Sequence, residues 1–458
     1  MKTIKRLAVT GALMLAFCAA ISGCGAAATT AADGDSPTDE SSNPAGSSDQ
    51  TPVAGGKMLE SNLARVLAPN VSADDLTQLV RGNSAFAVSL YQELRSRDGN
   101  LFFSPYSISL CLAMLYGGAR GSTEAQMADA LHFTLPQDRL HPAFNSLDLT
   151  IAAYEKAYQD PATKTDRGFT LDIANSIWGQ DGFPFLPAYL DLLAQNYGAG
   201  MHLTDFVNSP DAARQNINDW IEQQTNDKIQ DLLPERSIDS LTRLVLANAI
   251  YFKALWKSPF DPADTKDGTF HLLDGATIRV PMMSTVGPGM FPYSEGETYQ
   301  AVGLPYQGGG ILMALVMPAA GKFSSFETGL TDAQLESILT AMHNRSLILT
   351  MPKFGIDSKF DLNDTLNDLG MTDAFENADF SGVDGEMDLS ITDVIHQAFV
   401  RVDETGTEAA AATIGVMGLT GGPTAPLVLT IDRPFLFLIY DSQTHTILFL
   451  GRVLNPGK

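Results

Sequence analysis

Cysteine is scarce in this chain: 458 residues hold three. Cys18 and Cys24 lie near the N-terminus, and Cys111 stands alone in an apolar stretch. The folded part can therefore form no internal disulfide and is held by its core, for which the length is ample. Cations are also few, 29 Lys and Arg against 53 Asp and Glu, a formal net charge of −24. So acidic a chain is unsuited to nucleic acid or to an anionic membrane surface. The usual signatures of catalysis are missing too: no Gly-x-Ser-x-Gly elbow, no Walker loop, no His-Glu-x-x-His and no Cys-x-x-Cys. Seven histidines are scattered, with no pair at metal-ligand spacing on a helix. Asp379 to Asp388 is rich in acid, but Val383 stands where a calcium loop needs an oxygen ligand, so it reads as a solvated loop. Neither an enzyme nor a metal or other cofactor is expected.

What is present begins with an export signal. Met1 to Arg6 is basic, Leu7 to Ile21 is apolar, and Ile21-Ser-Gly-Cys24 closes it with small residues. Fifteen apolar residues are short for a membrane span. The spacing matches a bacterial lipobox, in which Cys24 is lipidated and becomes the mature N-terminus; an ordinary secretory signal with a chance cysteine is the alternative. Removing residues 1–23 takes Lys2, Lys5 and Arg6 with it and moves the formal charge from −24 to −27. The segment 24–60 is then a lipidated cysteine and a tether of Ala, Thr, Ser, Asp, Gly and Pro, too poor in large apolar residues to bury a core. A single folded domain is expected over 61–458.

Within it, helical periodicity marks Ser84 to Arg95 (Phe86, Leu90, Leu94), Ser107 to Gly117 (Ile108, Cys111, Leu112, Leu115) and Ala212 to Leu233 (Ile217, Trp220, Ile221, Ile229, Leu232). Near-continuous apolar runs predict strands at Leu244–Phe252, Ile311–Met317, Leu347–Met351, Phe435–Tyr440 and Thr446–Leu450, of the kind covered on both faces. Helices dominate the first half and strands the second, which predicts an α+β or mixed class.

One connection is odd. Asp403-Glu-Thr-Gly-Thr-Glu-Ala-Ala-Ala-Ala-Thr413 lies between the strand-like runs Ile391–Val402 and Leu427–Ile431. Four alanines favour helix, but Gly406 and Gly415 leave barely two turns, and so short a helix is marginal in water.

The segments taken in order resemble the serpins, serine-protease inhibitors and their non-inhibitory relatives. Asn100-Leu-Phe-Phe-Ser-Pro-Tyr-Ser-Ile-Ser109 and Leu115 to Glu124 resemble the family's early helical pattern. Asn248-Ala-Ile-Tyr-Phe-Lys-Ala-Leu-Trp256 is similar to its central strand, followed by Phe260-Asp-Pro262. Met351-Pro-Lys-Phe354, Leu369 to Phe375, Asp432-Arg-Pro-Phe-Leu-Phe-Leu438 and Phe449 to Pro456 also match. The likeness runs from about residue 80 to the end without a large gap. It implies one domain of three β-sheets and eight or nine helices, with an exposed reactive loop at about 404–430. It also implies the mechanism: a protease attacks the loop and forms an acyl-enzyme. The cut loop then inserts as a strand into the central sheet, and the protease is dragged and distorted before it can deacylate.

The alanines then have a reason. A loop that becomes a central strand carries no proline, since proline cannot donate to the ladder; from Glu404 to Thr420 there is none, and Pro423 is the first. Alternation puts Thr407, Ala409, Ala411 and Thr413, all small, on the core-facing side and Glu408 on the other. Glu404, Thr405, Gly406, Thr407, Glu408, Ala409, Ala410, Ala411 and Ala412 match the hinge of inhibitory members, where bulky or charged residues mark non-inhibitory ones. A flexible Ala/Gly loop of no consequence is the plain alternative. Counting sixteen residues on from Glu404, the usual family spacing, places the reactive bond at Thr420–Gly421. A slip of one residue gives Leu419 and a slip of three gives Met417.

Ser104, Ser107, Asn248 and His396 resemble the shutter where the family's central strands part, and Trp256 the tryptophan at the top of that sheet. Singly, each reads equally as a satisfied core residue. A catalytic Ser–His pair among them has neither an elbow nor an acid partner in support. The expected partner is a serine protease of the elastase or subtilisin kind, held in a covalent acyl-enzyme complex, with the membrane reached only through the lipid on Cys24. A monomer at the bacterial surface or envelope, or shed from it, is expected. The rivals are a non-inhibitory serpin-fold binding protein and a hydrolase.

Overall fold

Ser72 starts the first long helix, Ala73–Leu94, by accepting a hydrogen bond on its side chain from Asp75 N at 3.1 Å, with Asp74 and Asp75 in the positive first turn. The computed structural model describes residues 56–158, 169–285, 287–407 and 425–458. Ser104 caps the next helix, Pro105–Tyr116, whose first position is the proline that suits it. All twelve of its residues are buried. A helix apolar on every side is covered on every side, and this one lies in the main core against strands Leu244–Leu255, Phe169–Gln180 and Ile447–Val453.

Seven strands form one sheet, in the order Lys57–Leu59, Met201–Thr204, Phe169–Gln180, Leu244–Leu255, Gly406–Thr407, Val394–Val402 and Phe354–Asp361. The central strand Leu244–Leu255 shows why its sequence is apolar but for Asn248 and Lys253. Leu244, Leu246, Ile250, Phe252 and Ala254 face the main core. Val245, Ala247 and Ala249 pack in a second cluster with Ile217 and Ile221 of helix Pro210–Gln224. Both faces are buried, as the near-continuous apolar run predicts.

The other ten strands form a second sheet that runs from Leu101–Phe103 through Ile447–Val453, Phe435–Asp441 and Ile311–Pro318 to Lys266–His271. Among the described residues the expected three sheets are thus two by hydrogen bonding. Strand His343–Pro352 pairs with Gly289–Gly296 through its first half, and with Leu427–Thr430 and Thr277–Ser284 through its second. One long strand therefore joins what would otherwise be separate sheets. Eleven α-helices are present among the described residues rather than eight or nine; four of them span six residues or fewer and leave no periodic signature.

Several boundaries move: the helix expected over Ser84–Arg95 starts at Ala73, and two others have a clear cause. The helix expected over Ala212–Leu233 ends at Gln224, because Asn226 and Asp227 take left-handed backbone, φ 52° and 60°, a conformation that Asn and Asp tolerate. Ile229, Leu232 and Leu233 are still buried in the same cluster, so the apolar spacing reported burial rather than helix. Lys57–Leu59, inside the stretch read as tether, pairs as a strand with Met201–Leu203. Three residues are too few to show alternation.

Candidate functional site

The ladder between the central strand and Val394–Val402 has two parts. Over Val394–Phe399 the strands pair directly and in parallel with Leu246–Tyr251. Above that they part, and Gly406–Thr407 sits between them, antiparallel to both: Thr407 lies opposite Ala254 on one side and Val402 on the other. Among the described residues, the chain thus enters the sheet at Gly406 and Thr407. Glu408 to Thr413, Thr420 and Gly421 lie outside the described residues, as does Cys24.

A tight turn aims the entry. Asp403 N donates to Gly406 O at 3.0 Å, and the Asp403 carboxylate accepts from Thr405 N at 2.8 Å and Gly406 N at 3.3 Å. Gly406 is required there for space, since a Cβ would collide with the backbone carbonyl of Ala254. Trp256 closes the top: its N donates to Thr405 O and its Nε1 to Asp403 O, each at 2.9 Å. Its ring stacks on Tyr306 at 4.5 Å between centroids. Tyr306 in turn shares a 2.6 Å hydrogen bond with the Thr407 hydroxyl, and Thr407 is fully buried. Glu404 is buried beside it, accepting from Thr265 Oγ1 at 2.7 Å and Lys353 Nζ at 2.8 Å. Burial pushes the Glu404 carboxyl up, but the hydrogen bonds from Lys353 and Thr265 outweigh it and hold it below its ordinary value.

Lower down, a row of polar side chains crosses the seam. Asn175, Asn248 and His396 stand opposite one another on three adjacent strands. His396 Nε2 accepts from the backbone N of Ser104 at 3.1 Å, so Nδ1 carries the proton and donates to Asn248 Oδ1. Asn248 Nδ2 donates to Ser107 Oγ at 2.8 Å and to Asn175 Oδ1. Asn175 Nδ2 donates to Ser107 O at 3.1 Å. Ser104 Oγ donates to Leu448 O at 2.6 Å and accepts from Ser107 N at 3.1 Å. The four polar residues singled out in the sequence therefore form one cluster, and Asn175, on the strand Phe169–Gln180, completes it. Neither serine hydroxyl bonds the imidazole, and His396 is wholly buried; no nucleophile–base pair exists here for a substrate to reach.

Burial holds His396 down at about 3. If the strands part and water reaches it, the imidazole returns toward its ordinary value of about 6.5. Between these values the open state binds a proton that the closed state does not, so the closed seam is fully stable above about pH 7 and weakens as pH falls from about 6.5 toward 3. Thermal unfolding scanned against pH should show this loss in the native chain, and a smaller slope in His396→Gln.

Comparison with known proteins now adds the lineage. The family model described as "Serpin (serine protease inhibitor)" matches residues 81–456. An uncharacterized serpin-like protein of Thermococcus kodakarensis is 39% identical over 380 residues, 82% of this chain and 86% of that one. Leukocyte elastase inhibitor A of Mus musculus is 38% identical over 399 residues, 83% of this chain and 100% of that one. Among solved structures, human thyroxine-binding globulin complexed with thyroxine superposes with a TM-score of 0.71 at 31% identity, covering 83% of this chain and 99% of that one. With a strand slot opened at its top and a family match that runs through both sheets, this chain belongs to the serpin family.

Proposed function

We propose that the protein is a suicide inhibitor of serine proteases of the elastase or subtilisin kind, and that it is not itself a catalyst. The observation that carries the reading is the two-residue entry of Gly406–Thr407 above a closed parallel seam. Antiparallel pairing is slightly the more stable per residue. Extending the entry would replace one parallel ladder of six residue pairs by two antiparallel ladders, which gives insertion a driving force. The residues that would follow, Glu408 to Thr420, contain no proline and are mostly small. The protease serine attacks the Thr420 carbonyl, and the Thr420–Gly421 amide breaks with Gly421 leaving as the new amine. The loop, ester-linked to the protease through Thr420, then draws it along the sheet as the hinge Glu404–Ala412 zips into the slot. Ser104, Ser107, Asn175, Asn248 and His396 act as the clasp that breaks and reforms as the seam opens, and Trp256 with Tyr306 marks where insertion starts.

Thr420 is small and uncharged, which suits a shallow specificity pocket and offers nothing to the buried aspartate of a trypsin-like one. Mass spectrometry of the peptide released on reaction with elastase should find a new N-terminus at Gly421; any other N-terminus overturns the assignment. The chain acts as a monomer, exported and held in the envelope through lipid on Cys24, a placement tested by detergent-phase partitioning of the full chain. The likeness to thyroxine-binding globulin favours a second reading, a non-inhibitory binding protein. That reading predicts cleavage without trapping.

A further inference from the structure

Insertion needs the sheet to widen by one strand, roughly 4.8 Å, so the strands outside the slot must slide over the helices beneath them. One segment ties these two layers together. Lys57–Leu59 is the edge strand and pairs with Met201–Thr204, with Met58 opposite His202. His202 is itself buried, stacked on Trp178 and against Trp220 of helix Pro210–Gln224. A few residues on, Arg65 holds the helical layer: Nε donates to Asn145 Oδ1 at 2.8 Å and Nη2 to Asp148 Oδ2 at 2.6 Å, both on helix Gln137–Tyr158. Asn145, fully buried, donates back to Val66 O at 2.7 Å, and Val66 N donates to Gln195 O at 2.9 Å.

The seat is shaped for this segment. A Cβ at Gly198 would come within 2.8 Å of Arg65 Cδ, and one at Gly200 within 2.9 Å of Leu59 O. The anchor also reaches the seam, because Asp148 Oδ1 accepts from Tyr106 OH at 3.3 Å, and Tyr106 lies between Ser104 and Ser107 on the first turn of the helix under the slot.

We infer that residues 57–66 form a strap which pins the outer edge of the slotted sheet to helix Gln137–Tyr158 and so restrains the sheet from opening before a protease has cut the loop. The inference rests on the proposed insertion mechanism for its purpose, but the restraint itself is measurable without any protease. The two ends act in series: freeing either one releases the sheet edge.

The test is hydrogen exchange on the full, uncleaved chain, comparing native with Met58→Pro, which takes a backbone N–H out of the three-residue strand and fixes its φ away from the extended value, with Arg65→Ala, and with both together. The seam amides of Leu246–Tyr251 and Val394–Phe399 should exchange about tenfold faster in each single variant, a barrier change of about 1.4 kcal/mol. Strands Ile311–Pro318 and Phe435–Asp441 of the other sheet should not change. The double variant should match the singles, and Arg65→Lys should recover part of the protection. Unchanged seam exchange, equal acceleration in both sheets, or effects that multiply in the double variant would each overturn the strap. If Met58→Pro does not fold, Arg65→Ala against Arg65→Lys decides alone. A chain that passes this test yet traps no protease would leave the strap standing and refute the inhibitory reading instead.

Discussion

Cutting the loop should raise the melting temperature by on the order of 10 °C or more, an unusual sign for a broken backbone. The reason lies in the slot. Among the described residues Gly406 and Thr407 occupy it, and below them the seam is a parallel ladder of six residue pairs. A freed loop of about a dozen further residues gains hydrogen bonds to both flanking strands, each worth about 0.5–1.5 kcal/mol net. Summed over the new ladders this is on the order of 10 kcal/mol, which for a chain of this size shifts the transition by about 1 °C per kcal/mol. Calorimetry of intact and loop-cleaved samples measures it. An unchanged melting temperature would mean that the loop does not insert.

The second large effect is expected at the hinge. Thr407→Arg should turn the inhibitor into a substrate. Thr407 is fully buried and bonded to Tyr306, so an arginine there must leave a charge unpaired in the core or push the strand start out of the slot. Ala409→Pro should act in the same direction by deleting a ladder donor. Trapping is a race between insertion and deacylation. Slowing insertion by about 1.4 kcal/mol shifts the race tenfold, so the ratio of cleaved, released inhibitor to trapped protease should rise at least about tenfold and the inhibitor consumed per protease should rise with it. The loop should still be cut at the same bond. Titration of elastase activity against inhibitor reads this directly, and an unchanged stoichiometry would show that the hinge has been misplaced.

How far the sequence reveals such a device depends on how each part is encoded. The strands of both sheets are legible because burial on two faces demands near-continuous apolar runs, as in Leu244–Leu255. The residues of the polar row are legible as exceptions inside or beside such runs. Asn175 belongs to the same row and carries the same signal, but its strand mixes half-buried positions with buried ones, so the exception stands out less. Tyr306, Lys353 and Thr265 are not legible as partners of Thr407 and Glu404, because hydrogen bonds between residues 51 to 139 positions apart leave no local pattern. The end of helix Pro210–Gln224 was hidden by the burial of Ile229 to Leu233, which continued the apolar spacing past the helix. The strap was hidden by its brevity: a strand of three residues and a single arginine fall below what periodicity detects.

The most direct test of the central claim is to incubate the protein with elastase and resolve the products by denaturing electrophoresis. The account predicts a complex that survives SDS, with the mass of the protease plus the chain lacking the peptide that begins at Gly421. It equally predicts the disappearance of elastase activity in proportion to that complex. Finding only the cleaved chain beside fully active elastase, with no covalent complex, would contradict it.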